Sequence, residues 1–181
     1  MEFEMAKKKS SPKRGFVTTQ IILRVLAIVF TSAAIGVMVT SGQTVMMFGI
    51  PLTANYTFSS AFRYLVAANS VVCAISLLSL ILVHFLSRPN SNPDNYFYLF
   101  LLDMVITVLM MSGCAAATAI GLVGLYGQNQ MGWVAISDRV GKFCDRVTLS
   151  IAFSYVAFVG YSILTIMSAH KLKSWATEMN G

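Results

Sequence analysis

Four long runs of apolar residues constrain this chain more than any other feature of its sequence. They cover residues 17–39, 62–86, 96–125 and 147–169. A helix that rises 1.5 Å per residue needs about 20 residues to cross about 30 Å of hydrocarbon, and each run reaches that length. The first run is also too long for the core of a cleavable signal peptide, which has about 7 to 15 residues. We therefore predict an all-α protein in which four membrane-spanning helices form one bundle.

The composition is typical of a membrane protein and leaves no room for a separate soluble domain. Of the 181 residues, 56% are hydrophobic and 11% are charged, whereas soluble domains carry about 25% charged residues. The connections between the runs are too short for a folded module of about 50 residues. Any activity is therefore expected to lie in the bundle or in its loops.

The basic residues predict how the helices are oriented. The net charge is +6, and more of the cations lie on one side of the predicted membrane than on the other. The first group is Lys7, Lys8, Lys9, Lys13, Arg14, Arg88, Lys171 and Lys173, and the second is Arg63, Arg139, Lys142 and Arg146. The positive-inside rule then predicts that both termini are cytoplasmic. The cations are distributed as the predicted topology requires and do not form a patch that would fit nucleic acid. We therefore expect the basic tail to contact the anionic inner leaflet, and we expect no binding of nucleic acid.

This orientation assigns the segments between the spans. Residues 1–16 are predicted to be an unstructured basic tail in the cytoplasm, and 170–181 a second cytoplasmic tail. The turn-rich residues 87–95 connect the second and third helices on the inner side. Residues 40–61 form an outer loop that either lies against the membrane surface or pairs as a short hairpin. Residues 126–146 form a second outer loop with enough charge for a short amphipathic helix.

Two ionisable side chains fall inside the predicted spans, Arg24 in the first and Asp103 in the third. Both lie about 8 to 12 Å from the cytoplasmic entry of their helices. A charge in hydrocarbon costs about 2.5 to 3.5 kcal/mol on insertion scales, so we predict an ion pair in which the guanidinium fork donates two hydrogen bonds to the carboxylate. The alternatives are that Arg24 reaches back to the headgroups, or that Asp103 relays protons or binds an ion.

A stripe of small and polar residues runs along the third span at alternating spacings of four and three. Its members are Asp103, Thr107, Met110, Cys114, Ala117 and Gly121. The first span has a similar face, formed by Arg24, Ala27, Thr31 and Ala34. Small residues let membrane helices approach closely. We therefore predict that the first and third helices pack directly against each other and that the ion pair lies in this contact.

The usual motifs of enzymes are missing from the sequence. It contains no H-E-x-x-H, C-x-x-C, G-x-S-x-G or P-loop, so we expect neither a catalytic residue nor a cofactor. His84 and His170 fall near helix ends, where interfacial anchoring is more common than metal binding. We therefore predict that the protein is not an enzyme and has no metal site.

Two residues of the predicted outer loops are candidates for covalent chemistry. Asn55-Tyr56-Thr57 is a sequon for N-glycosylation of Asn55. Cys144 is the one cysteine in these loops, so a disulfide within a loop is excluded, and this thiol is either free or joined to a neighbouring chain.

Several of these residues resemble the pattern of the Casparian strip membrane protein-like family of plants. The pattern comprises Arg24, the segment Y-T-F-S-S-A-F-R-Y-L-V-A-A-N-S that starts at Tyr56, Asp103, and Gly132-Trp133 followed by Gly141-Lys142-Phe143-Cys144. The resemblance covers nearly the whole chain. It implies a MARVEL-type four-helix bundle in the plasma membrane, with cytoplasmic termini and with homo- and heterodimers or larger oligomers of related membrane proteins. It also implies that Arg24 and Asp103 are characteristic family residues, and that Trp133, Phe143 and Cys144 belong to a motif of the outer loop.

Two departures narrow what the resemblance implies about function. Relatives commonly have a second outer-loop cysteine where this chain has Ser137, so their loop disulfide is lost. Members that build the Casparian strip carry an acidic and aromatic signature in the first outer loop, whereas residues 40–61 contain no acidic residue. We therefore do not expect a role in building the strip itself. Our leading hypothesis is a non-enzymatic scaffold that associates laterally, defines a membrane subdomain and recruits other proteins, including those that modify the cell wall. The alternative is a channel or transporter with Asp103 in a polar path, against which stand the few ionisable groups and the lack of an inverted repeat.

Overall fold

The computed structural model describes residues 11–47, 50–86, 93–127 and 140–179. Its helices are α1 (Ser11–Val39), α2 (Ser60–Leu86), α3 (Pro93–Tyr126) and α4 (Gly141–Met179). Between α1 and α2 the chain forms the strands β1 (Gln43–Met47) and β2 (Ile50–Ala54), followed by a short 3₁₀ helix over Tyr56–Phe58.

Each of the four helices contains a stretch that is long and apolar enough to cross a membrane, with mean hydropathy between 1.8 and 2.3. The sides of the helices that point away from the core are apolar as well, and Val29, Leu78 and Val108 are each more than half exposed. Such a surface is unusual in water but is the ordinary surface of a bundle in lipid. The prediction of an all-α bundle of four spanning helices is confirmed.

The helices extend beyond the apolar runs. The helix α1 begins at Ser11, so residues 11–16 of the predicted unstructured tail are helical. The helix α3 begins at Pro93, which suits a first helical position because its missing N–H needs no partner there. The helix α4 includes residues 141–146 of the predicted outer loop and 170–179 of the predicted tail. The backbone hydrogen bonds of a helix can continue into the polar residues that flank an apolar run. A hydropathy profile does not assign these residues to the span, so the predicted helices were too short. The amphipathic helix expected in the second outer loop falls largely on residues 128–139, outside the described residues.

The four helices run up and down around a square. Hydrogen bonds from Gln20 to Ser168 and from Ser150 to the carbonyl of Ala34 show that α1 and α4 are antiparallel. The helix α1 packs against α2 and α4, and α3 packs against the same two helices. The helices α1 and α3 therefore face each other across one diagonal of the square, and α2 and α4 across the other.

The predicted direct packing of α1 against α3 is wrong, because the small residues of α3 meet its two neighbours instead. A Cβ added at Gly113 would lie 3.4 Å from Cβ of Ala68 on α2. A Cβ added at Gly121 would lie 3.7 Å from Cδ1 of Ile151 on α4. The small side chains thus let α3 fit between α2 and α4.

The interior contains two apolar clusters to which all four helices contribute. The central cluster consists of Ala27, Val72, Ile106, Met110, Ala157, Tyr161 and Leu164. The second cluster lies toward the end of the bundle that carries the strands, called the hairpin end below, and consists of Met38, Phe62, Leu65, Cys114, Ala117, Val147 and Ile151.

The loop between α1 and α2 forms a hairpin, which is one of the two arrangements expected from the sequence. The strands β1 and β2 pair antiparallel, from Gln43 opposite Ala54 to Met47 opposite Ile50. Asn55 then caps the 3₁₀ helix, because its side-chain oxygen accepts the N–H of Tyr56 at 2.8 Å.

Candidate functional site

Arg24 and Asp103 meet in the interior of the bundle. Nη2 of Arg24 donates to Oδ2 of Asp103 at 2.6 Å, and both side chains have 0% exposure. Complete burial of Arg24 rules out the alternative in which this side chain reaches back to the headgroups. The contact crosses the diagonal between α1 and α3, which the long arginine side chain spans without any close approach of the two backbones.

The guanidinium fork is shared between two helices. Its Nη1 donates to Oγ of Ser79 on α2 at 2.6 Å, while Nη2 is bonded to Asp103 on α3. The predicted pair of hydrogen bonds to one carboxylate is therefore not formed, because Ser79 takes one arm of the fork. Nε of Arg24 and Oδ1 of Asp103 are buried and have no hydrogen-bond partner among the described residues. Arg24 thus joins three helices rather than two.

Ser79 continues this network toward α4. Its hydroxyl donates to the carbonyl of Ser76 at 2.9 Å, and the hydroxyl of Ser76 is hydrogen-bonded to the phenol of Tyr161 on α4. One connected set of polar groups therefore links all four helices: Asp103 on α3, Arg24 on α1, the two serines on α2 and Tyr161 on α4. Neither these serines nor Tyr161 were predicted from the sequence, although Ser76 and Ser79 follow Asn69 and Val72 at helical spacing on one face of α2.

A second polar contact crosses the diagonal between α2 and α4 nearer the hairpin end. Nδ2 of Asn69 donates to Oγ of Ser154 at 3.0 Å and to the carbonyl of Leu65 at 3.0 Å. Oδ1 of Asn69 is buried and has no partner among the described residues. Buried hydrogen bonds thus cross both diagonals of the square.

Mostly apolar side chains separate the two polar contacts. Val72 on α2 and Ala157 on α4 lie between the Ser76–Tyr161 contact and the Asn69–Ser154 contact along their helices, and each is at most 1% exposed. On α1 the fully buried Thr31 lies between Arg24 and Ala34, and its hydroxyl is bonded to the carbonyls of Ala27 and Ile28 in its own helix. No hydrogen bond among the described residues joins the groups around Asp103 to Asn69 or Ser154.

The remaining stripe residues of α3 line the interior. Cys114 and Ala117 are fully buried in the hairpin-end cluster, and Gly121 is half-buried. The half-buried Thr107 donates to the carbonyl of Asp103 at 2.7 Å and is hydrogen-bonded to Thr165 on α4 at 3.2 Å.

The predicted outer-loop motif lies partly at the start of α4. The backbone N–H of Phe143 donates to Oε1 of Gln43 at 3.1 Å, and its ring packs edge-on against Phe62 with centroids 6.2 Å apart. Cys144 is half-buried and forms no disulfide among the described residues. Nη1 of Arg146 donates to the carbonyl of Thr40 at 2.6 Å. These bonds fix the base of the hairpin to α4. Trp133 lies outside the described residues.

Residues 13–160 match the family model of the Casparian strip membrane protein domain. The chain belongs to this family. It is 52% identical to CASP-like protein 1F2 of Ricinus communis over 164 residues, which cover 90% of this chain and 82% of the relative. It is 47% identical to CASP-like protein 1F3 of Populus trichocarpa over 169 residues, with 93% and 88% covered. CASP-like protein 1F2 of Vitis vinifera is 46% identical over 164 residues, with 91% and 86% covered. No solved structure matches the chain.

Membership of the Casparian strip family confirms the resemblance seen in the sequence. The matched region includes Arg24, Asp103, the whole hairpin and the first twenty residues of α4. The chain is therefore a membrane protein of this plant family, and the polar network lies in the interior of the matched domain.

Proposed function

We propose that this protein is a non-enzymatic scaffold of the plasma membrane. In this proposal it associates laterally with copies of itself and with related membrane proteins, and so defines a membrane subdomain. The hairpin end faces outward and recruits other proteins, among them proteins that modify the cell wall. Both termini are cytoplasmic, and the basic residues beside them contact the anionic inner leaflet.

The observation that carries the proposal is the buried interior of the bundle. Val72, Met110 and Ala157 are each at most 1% exposed, and Arg24, Asn69 and Ser76 are hydrogen-bonded to side chains on other helices. Such an interior has few groups free to act on a substrate. What the protein offers to partners is its lipid-facing sides and its loops, which are the surfaces a scaffold uses.

The same observation weighs against a channel or transporter with Asp103 in a polar path. Asp103 is paired with Arg24 at 2.6 Å, and the buried side chains of Val72 and Ala157 lie between this pair and the hairpin end. The hydroxyl of Thr31 also lies there, but it is bonded to carbonyls of its own helix. An ion or a proton would therefore meet few polar partners on this path, which is costly in a region of low dielectric.

Photobleaching of a fluorescently tagged chain in plant cells tests the scaffold. We expect discrete domains at the cell surface and slow recovery after bleaching. A chain of similar size that is known to be monomeric provides the reference for free diffusion. Uniform distribution with recovery as fast as this reference would overturn the proposal. Flux across liposomes that contain the purified protein tests the alternative, and we expect flux no greater than in empty liposomes.

A further inference from the structure

A small recess lies where the base of the hairpin meets the start of α4, apart from the polar network in the interior. Its volume is about 80 Å³. A single water molecule needs about 10 to 15 Å³ of such space, so the recess has room for a group of several heavy atoms. Three residues at the base of the hairpin and three of α4 line it, all within the described part of the chain: Ser41, Gly42, Gln43, Lys142, Phe143 and Arg146.

The two basic side chains of this recess have no acidic partner among the described residues. Nη1 of Arg146 donates to the carbonyl of Thr40 at 2.6 Å, which holds the guanidinium at the recess and leaves most of its N–H groups to other acceptors. The ammonium of Lys142 forms neither a hydrogen bond nor an ion pair with any described residue. The exposed carboxylate of Asp145, their neighbour in the sequence, lies beyond ion-pair distance of both cations. The positive charge at the recess is therefore available to a ligand.

An uncharged side chain of the recess supplies a further donor. Oε1 of Gln43 accepts the N–H of Phe143 at 3.1 Å, and this bond leaves the side-chain NH₂ group of Gln43 as a donor. The hydroxyl of Ser41 donates its proton to the carbonyl of Met38 at 2.6 Å, so toward a ligand it can only accept. N–H donors of three side chains thus line the recess, and two of these side chains are cations. Such a set of donors binds an oxyanion.

The level of the recess in the bundle indicates where the oxyanion comes from. The apolar span of α1 ends at Val39, directly before Thr40, and the apolar run of α4 begins directly after Arg146. The recess therefore lies at the boundary of the hydrocarbon, beside the headgroup region. Val39 and Leu149 are each 46% exposed, and Leu149 lies one turn further into the membrane than Arg146. A molecule with an anionic head and acyl chains fits this surface better than a soluble anion does.

We propose that the recess binds the phosphate of a phospholipid in the leaflet at the hairpin end. Lys142 and Arg146 donate charge-assisted hydrogen bonds to the phosphate oxygens, the amide of Gln43 donates another, and the acyl chains lie along Val39 and Leu149. Basic pockets between membrane helices bind lipid headgroups in other proteins. The bound phosphate adds to the two hydrogen bonds that already fix the base of the hairpin to α4. The inference goes beyond the proposed scaffold and does not depend on it.

Native mass spectrometry of the purified full chain in detergent micelles tests the ligand. The probes are dioleoyl phosphatidylglycerol, dioleoylglycerol, which has the same acyl chains without the phosphate, and inorganic phosphate. We expect the chain to retain phosphatidylglycerol at concentrations at which it does not retain dioleoylglycerol, and we expect an excess of inorganic phosphate not to displace the phospholipid. Equal retention of the two lipids would overturn the inference, since acyl chains alone would then account for binding. Displacement by inorganic phosphate would show that the recess takes a free anion and would overturn the phospholipid as its ligand.

Substitution of Lys142 tests the position of the site. Lys142→Gln removes a charge without breaking any bond to a described residue, so the fold should be kept. We expect this variant to bind phosphatidylglycerol at least about tenfold more weakly, as the loss of a hydrogen bond from a charged group predicts. Arg63→Gln is the matched control, because Arg63 is an exposed cation at the same end of the bundle and does not line the recess. Its effect should be less than about twofold. Equal weakening by the two substitutions would mean a general effect of charge and would overturn the recess as the site.

Discussion

Replacing Asp103 by asparagine should destabilise the bundle more than any other isosteric change in its interior. Asp103→Asn keeps the shape of the side chain but removes the charge that neutralises Arg24. The guanidinium then remains fully buried, and its acceptors are neutral: the hydroxyl of Ser79 and the amide oxygen of the substituted side chain. A buried charge without a counter-charge cannot recover its lost hydration.

The expected loss follows from the burial of the pair. Removing one partner of a buried ion pair costs about 3 to 5 kcal/mol, which is roughly a hundredfold to a few thousandfold in the unfolding equilibrium. Ser79→Ala removes a hydrogen bond to a charged group and should cost about 1.5 to 3 kcal/mol. Ser70→Ala is the matched control, because the exposed Ser70 donates to the carbonyl of Val66 in its own helix. Its cost should lie within about 0.5 kcal/mol of zero.

A double substitution separates the ion pair from its surroundings. Replacing a whole buried pair by apolar residues is often neutral or stabilising. The variant that combines Arg24→Met with Asp103→Leu should therefore be more stable than the one that carries Asp103→Leu alone. The loss of stability in the double variant should be smaller, by several kcal/mol, than the sum of the losses in the two single variants, because the residues are in direct contact.

Unfolding of the purified protein by SDS in mixed micelles, followed by the fluorescence of its two tryptophans, measures these differences. The order Asp103→Asn, Ser79→Ala, Ser70→Ala should run from the least stable variant to the most stable. A loss below about 1 kcal/mol for Asp103→Asn would refute the reasoning, since a surface pair is worth that little. Strict additivity in the double variant would refute it as well.

Three further predictions concern other parts of the bundle. Gly113→Ile should lower stability by about 1 to 3 kcal/mol through overpacking against Ala68. Gly36→Ile is the control, because a Cβ added at Gly36 meets open space, and it should leave the SDS midpoint nearly unchanged. Equal effects of the two substitutions would contradict the packing of α3 on α2. Asn69→Ala should cost about 1 kcal/mol, and a double-mutant cycle with Ser154→Ala should give a coupling near 0.6 kcal/mol, the average for membrane helices; zero coupling would exclude the contact. Expression in plant cells should yield a product whose mobility increases on glycosidase treatment, and Asn55→Gln should abolish this shift; an unmodified wild-type chain would remove Asn55 as a glycosylation site.

The hydropathy of the sequence was sufficient to predict the four spans. The cost of burying a charge was sufficient to predict the contact between Arg24 and Asp103. The neighbours of each helix were harder to predict, because a stripe of small residues shows that a face is packed but not which helix packs on it. The order of the helices in the sequence provides the missing information. Consecutive elements usually lie next to each other in space, and this rule places α1 and α3 on a diagonal of the square.

Ser79 and Tyr161 could not be found by the same reasoning. A hydroxyl in an apolar helix can bond a carbonyl of its own preceding turn, as Ser162 does with Phe158. The sequence therefore contains no demand for a partner on another helix. Asp103 is different, because groups of its own helix cannot stabilise an ionised carboxylate in lipid. A charged residue within a span therefore predicts a contact with another helix, whereas a hydroxyl residue does not.

The two sets of diagonal bonds also have a mechanical consequence for the proposed scaffold. A square of four helices can shear into a rhombus, which lengthens one diagonal while it shortens the other. Arg24–Asp103 resists a change in the distance from α1 to α3, and Ser76–Tyr161 with Asn69–Ser154 resists a change from α2 to α4. Gln43 and Arg146 then tie the loop between α1 and α2 to α4. Because shear is opposed in both directions, the hairpin and the lipid-facing sides keep fixed relative positions. A regular lateral assembly requires such positions, since each copy must present the same surface to the next.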